Sequence, residues 1–113
     1  MEPREIVQAA IDAYHAHDLD RCLGFYADDV VVKDARGTVM VNGAAEVRAR
    51  YARSMAEHPD LHYDIPNRIA LGDWVVDEER VTGRSDLPPG DVVRAVLVYT
   101  FGEGLIREIV IYA

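Results

Sequence analysis

Two apolar runs flank a glycine turn near the carboxyl end: Val92-Val93-Arg94-Ala95-Val96-Leu97-Val98-Tyr99-Thr100-Phe101, then Gly102-Glu103-Gly104, then Leu105-Ile106-Arg107-Glu108-Ile109-Val110-Ile111-Tyr112. β-Branched and aromatic residues on either side of such a turn read as a β-hairpin. Its strands are apolar on both faces, whereas an antiparallel strand with one face in water alternates. One face takes helices, and the other needs a cover. Val96, Val98, Val110 and Tyr112 share that second face, which points to a homodimer through the outer face of the sheet. The alternative is an ordinary exposed apolar patch.

Upstream of the hairpin the period changes several times. Ile6, Val7, Ala10, Ile11, Ala13 and Tyr14 recur at helical spacing between Glu2 and His17, and Pro3 suits a first helical turn. Asp18 caps a short second helix carrying Leu19, Cys22, Leu23, Phe25 and Tyr26. Val30-Val31-Val32 reads as a strand ending near Asp34, and Arg36-Gly37 turns it into a returning strand from Thr38 to Val41. Asn42 is a candidate cap for a third helix bearing Ala44, Val47, Tyr51 and Met55, ended by Pro59. Leu61 to Leu71, interrupted near Pro66, and Trp74 to Thr82 are further strands, and Ser85 to Asp91 is a breaker-rich loop. The order α-α-β-β-α-β-β-β-β is an α+β arrangement with helices on one face of a sheet, in one domain spanning residues 1–113.

Composition narrows the partners. Twenty acidic against 12 basic side chains give a net charge of -8 in 113 residues. The one arginine cluster, Arg48, Arg50 and Arg53, is flanked by Glu46 and Glu57. Nucleic acid and anionic membranes, which recruit basic patches, are therefore not expected partners. No apolar run reaches the ~20 residues of a membrane span, and the charged amino end followed by an amphipathic segment is unlike a secretory leader. A cytoplasmic location is the expectation. The single cysteine, Cys22, excludes an internal disulfide and reads as a buried thiol. His15 and His17, two apart, lie on different helix faces and read as a solvated helix end rather than a metal site. His62 and Asp64 share a strand face, either as a pocket acid–base pair or as polar surface. No phosphate loop, serine-nucleophile motif or metal signature is present, so no cofactor is expected.

Asp18-Leu19-Asp20, Phe25-Tyr26-Ala27-Asp28-Asp29-Val30, Val32-Lys33-Asp34, Gly43, Arg48-Ala49-Arg50-Tyr51-Ala52, Val98-Tyr99-Thr100-Phe101 and Gly104-Leu105-Ile106 resemble the SnoaL-like and ketosteroid-isomerase-like branch of the nuclear-transport-factor-2-like superfamily. The resemblance implies a cone-shaped, cystatin-like roll: a strongly curved, mainly antiparallel mixed sheet around three helices, with a pocket inside and frequent dimerisation through the sheet. The superfamily includes isomerases, polyketide cyclases, epoxide hydrolases, dehydratases and members that only bind or scaffold, so fold does not assign a reaction.

The same resemblance places Asp34 where the isomerases carry their general base, a carboxylate whose pKa an apolar pocket raises. Without it, Asp34 reads equally as a turn cap before Ala35-Arg36-Gly37. The two oxyanion-donor positions fall on Ala10 and Leu97, neither of which donates, which argues against steroid isomerisation. Tyr14, one helical turn beyond Ala10, is a possible substitute. Tyr26 and Tyr51 match pocket tyrosines, or else pack with their hydroxyls at the pocket edge. The resemblance turns Trp74, Val76, Glu78 and Arg80 inward, making Glu78 and Arg80 a charged pair with Asp34, similar in residue types to the epoxide hydrolases; a bulge would reverse this facing. The expected site is thus Asp34, Tyr14, Tyr51, Glu78 and Arg80 for catalysis. Tyr26, Trp74, Val76, Leu97 and Tyr99 would bind a small hydrophobic or cyclic substrate in a cofactor-free isomerase, cyclase or hydrolase. The alternative is a non-catalytic ligand-binding or dimeric association module of the same fold.

Overall fold

The computed structural model describes residues 1–113. Helix α1 (Pro3–His15) buries Ile6, Val7, Ala10, Ile11, Ala13 and Tyr14 along one stripe, as its spacing requires. Its first turn is closed by the Glu2 backbone N–H donating to Glu5 Oε1 at 3.0 Å. Helix α2 (Leu19–Leu23) is capped by Asp18, whose Oδ1 accepts from the Arg21 amide at 3.1 Å. It ends earlier than the apolar spacing implies. Tyr26 belongs instead to strand β1 (Tyr26–Asp34), which runs on through the three valines.

Strand β2 (Val39–Asn42) returns beside β1, and helix α3 (Ala44–Glu57) follows. The cap of α3 is Gly43 rather than Asn42. Gly43 has φ 91°, and its amide donates to the Val30 carbonyl at 2.7 Å, so α3 is pinned directly to β1. The Asn42 amide is taken by Glu46 Oε2.

Strands β3 (His62–Leu71), β4 (Trp74–Thr82), β5 (Val93–Gly102) and β6 (Leu105–Tyr112) complete a six-stranded sheet in the order β2-β1-β6-β5-β4-β3. β1 and β6 are parallel, and every other neighbouring pair is antiparallel. The expected break near Pro66 is a register shift between Asp64 and Asn67, where β3 passes its proline without leaving the sheet. All three helices lie on the inner face, over a core that includes Val30, Val75, Tyr99, Phe101, Ile106 and Ile109.

The register of β4 decides what lies inside. Val75 stands opposite Tyr99 and Asp77 opposite Leu97, with no bulge along the pair. The buried residues of β4 are therefore Val75, Asp77, Glu79 and Val81. This corrects the expected facing: Trp74, Val76, Glu78 and Arg80 lie on the outer face, and Trp74 is 58% exposed. Asp77 is fully buried and receives two hydrogen bonds from its β3 neighbour Arg68, at 2.7 and 2.9 Å. Arg68 also donates to Gln8 of α1 at 2.9 Å, so one guanidinium ties β3, β4 and α1 together.

Removing one member of a buried ion pair strands the other charge in a poor dielectric. Arg68→Ala should lower unfolding free energy by about 3 kcal/mol in urea titrations, whereas Arg68→Leu combined with Asp77→Leu should cost much less.

Candidate functional site

A cavity of about 630 Å³ lies between the inner sheet face and the helices. It has the size of a small-molecule site and a predominantly apolar wall. Ala10, Ile11 and Tyr14 come from α1, Val47, Tyr51 and Ser54 from α3, and Glu79, Val81, Leu97, Tyr99, Ile109 and Ile111 from the sheet. Ala10 and Leu97, the two positions assigned to oxyanion donors by resemblance, both face this cavity and supply no donor.

Four of the expected residues share the wall with Tyr14: Tyr26, Tyr51, Leu97 and Tyr99. The Tyr26 and Tyr51 hydroxyls are hydrogen-bonded to one another at 2.9 Å. The Tyr14 hydroxyl is bonded to Ser54 Oγ at 2.7 Å. The Tyr14 ring meets Tyr51 and Tyr63 edge-on, at 5.2 and 5.0 Å between centroids, a favourable geometry for the aromatic quadrupole. Burial keeps Tyr26, Tyr51, Tyr63 and Tyr99 protonated, well above the usual tyrosine value. They are hydrogen-bonding groups here, and none is a base. Burial likewise pushes the Cys22 thiol up to about 11, which makes it a poor nucleophile.

Asp34 is not brought to the cavity wall. Strand alternation gives it the same face as Val32, but it stands at the very end of β1. There its Oδ1 accepts from the Arg36 amide at 2.9 Å and the Thr38 amide at 3.0 Å, so the carboxylate caps the turn. Glu78 and Arg80 are also outside, on the opposite sheet face, where Glu78 accepts from Asn67 Nδ2 at 2.7 Å. Trp74 and Val76 share that outer face and do not line the cavity. His62 and Asp64 are exposed, so they make no pocket pair. His15 is more than a solvated helix end: its Nε2 accepts the Tyr63 amide at 2.9 Å, and its ring stacks on His62 at 4.1 Å. Burial, and then the nearby His62, lower its pKa and favour the neutral acceptor form. No group of three His, Cys, Asp or Glu side chains is placed to hold a metal ion.

The acid inside the cavity is Glu79. It is 7% exposed, and no protein hydrogen bond reaches its carboxylate. Burial first, and then the Asp77 charge two residues away, push its pKa up to about 7. Alternation alone leaves two readings of β4, and the breaker-rich loop before β5 hides the parity that chooses between them. Leu97 and Tyr99 facing inward do not choose between them by themselves; the observed register, which sets Asp77 opposite Leu97 and Glu79 opposite Ala95, does.

Because the folded chain holds the Glu79 proton more tightly than the unfolded chain, whose value is near 4.5, this group favours folding fully only below about pH 4.5 and loses that contribution as pH rises to about 7. The difference amounts to roughly 3 kcal/mol. Denaturant titrations from pH 4 to 8 should show this decline in the wild type and a flatter profile in Glu79→Gln. Equal slopes would refute the raised pKa.

The profile of the SnoaL-like domain family matches residues 7–109. No match to the sequence is found among curated proteins. Among solved structures, the chain is similar to an uncharacterised cystatin-fold protein from Novosphingobium aromaticivorans, at 27% identity and TM-score 0.89, covering 100% of this chain and 99% of that one. A polyketide cyclase-like protein from Sinorhizobium meliloti superimposes with TM-score 0.78 at 23% identity over 95% and 93% of the two chains. A ketosteroid-isomerase-like fold from Catenulispora acidiphila, solved in complex with trimethylamine, gives 0.79 at 23% over 100% and 87%. The cystatin-like, nuclear-transport-factor-2-like fold expected by resemblance is thus the observed one. With its α+β roll, inner cavity and a profile match across almost its whole length, the chain belongs to the SnoaL-like domain family.

Proposed function

We propose that this protein is a small-molecule pocket protein that moves a proton on a small hydrophobic or cyclic substrate, with Glu79 as the acid–base group. The observation that carries the reading is the carboxyl itself: buried, facing an apolar cavity and free of a protein hydrogen bond, an environment that pushes its pKa up to about 7. A group with that pKa is available in both protonation states at neutral pH, which suits general acid–base work. The tyrosine hydroxyls around it offer neutral donors to a developing negative charge. Steroid isomerisation itself is disfavoured by the apolar residues at Ala10 and Leu97. The reaction is better sought among isomerisations, cyclisations and hydrolyses that need no cofactor.

A generic carbon acid tests this without knowing the natural substrate. With 5-nitrobenzisoxazole, ring opening should exceed the solution rate and rise with pH around a midpoint near 7. Glu79→Gln should reduce it at least ~10²-fold, while Asp34→Asn should leave it unchanged. Binding without turnover would favour the non-catalytic pocket module, and loss of activity in Asp34→Asn alone would return the base to Asp34.

A second copy of the chain is the partner we infer for the outer sheet face. Ile69, Leu71, Trp74, Val96 and Tyr112 are exposed there, around Val76, Val98 and Val110. Val98→Arg, at the centre of this face, should give a monomer by sedimentation velocity with ligand binding intact. A wild-type monomer at micromolar concentration would rule the interface out.

A further inference from the structure

The cavity mouth carries charges that acid–base chemistry at Glu79 does not use. Arg50 and Arg53 project from α3 onto its rim, and Arg84 reaches it from the end of β4. Gly83 sets that end. At φ 76° it passes so close to the Asp60 carbonyl that a Cβ would stand 2.1 Å from the oxygen, so the chain after β4 is held against the end of α3. Ser85 continues the contact by donating its hydroxyl to the Glu57 carbonyl and its amide to His58 Nδ1.

The three guanidinium groups are not equivalent. Arg84 is already paired with Asp86. Arg50 and Arg53 have no ion pair, although they lie one helical turn apart and border both the main cavity and a shallow hollow with Met40, Glu46 and Ala49. Glu57 and His58 also stand on the rim. In a chain of net charge -8, two adjacent unpaired cations at the opening of an apolar cavity form a local exception to the surrounding field.

We infer that the pocket takes an amphiphilic acid: an apolar body inside, against Leu97, Tyr99 and Ile109, and a carboxylate or similar anionic group held at the mouth by Arg50 and Arg53. This rests on reading the cavity as a ligand pocket, and it adds the charge class of the ligand. The guanidinium forks suit a planar carboxylate. Water at the mouth lets the ligand keep part of its head-group hydration, so the charge is not carried into the apolar interior.

Three probes with one ring system separate the readings: 1-naphthylacetic acid, 1-naphthaleneacetamide and 1-naphthylmethylamine, measured by calorimetry in low salt. The acid should bind about tenfold tighter than the amide, the size two partly screened ion pairs supply, and the amine should bind weakest. The acid's advantage should shrink as salt rises to 0.5 M. Arg50→Gln/Arg53→Gln should bring acid and amide level, while Arg36→Gln/Arg48→Gln, with the same change in net charge away from the cavity, should preserve the preference. Equal affinity of acid and amide, or tighter binding of the amine, would overturn the inference and leave the pocket reading standing. A preference that survives in Arg50→Gln/Arg53→Gln would overturn the role of these arginines. Binding of none of the three would overturn the pocket reading and the inference with it.

Discussion

The Asp77–Arg68 pair is the constraint on which the interior depends. A carboxylate carried to zero exposure is tolerated only when its charge is compensated where it lies. Arg68, directly opposite on β3, supplies that compensation with two hydrogen bonds and reaches on to Gln8 of α1. With Asp77 fixed inward, strand alternation commits Glu79 to the same face two residues later. The two acids then diverge. Asp77 has its cation and Glu79 has none, and burial together with the Asp77 charge pushes the Glu79 pKa up to about 7.

The sheet and helices turn this local asymmetry into a site. β4 and β5 present Glu79, Leu97 and Tyr99 from below, and α1 and α3 close over them with Tyr14, Tyr51 and Ser54. The Tyr26–Tyr51 and Tyr14–Ser54 hydroxyl pairs satisfy three of the wall tyrosines internally, and burial keeps Tyr26, Tyr51, Tyr63 and Tyr99 neutral. The outer face follows the opposite logic. It carries Trp74, Val76, Val96, Val98 and Tyr112, apolar area that no element of the same chain covers.

Much of this was legible in the residues. The stripe of α1, the Trp74–Thr82 strand, the final hairpin with Val96, Val98, Val110 and Tyr112 on one face, and the disturbance at Pro66 follow from periodicity and turn chemistry. Tyr14, Tyr26, Tyr51, Leu97 and Tyr99 were placed in the wall by family likeness together with spacing, and the structure brings them there. Asp34 and the face of β4 were not legible in the same way. Asp34 has the correct parity but sits where two free amides of a tight turn compete for its oxygen, and local hydrogen bonds win. On β4 both faces mix apolar and charged residues, so alternation fixes the period and leaves the phase open.

By itself, then, the sequence determined the elements, their order and the two-sided apolar hairpin, because these depend on neighbours a few residues apart, and composition alone made the chain acidic with a single cysteine. Only the tertiary structure decided which acid lies inside. That choice rests on the register between β4 and β5, set across the breaker-rich loop, and on a cation nine residues away on β3. Both are cross-strand pairings that the period of β4 does not encode, and a slip of one residue would exchange Glu79 for Glu78.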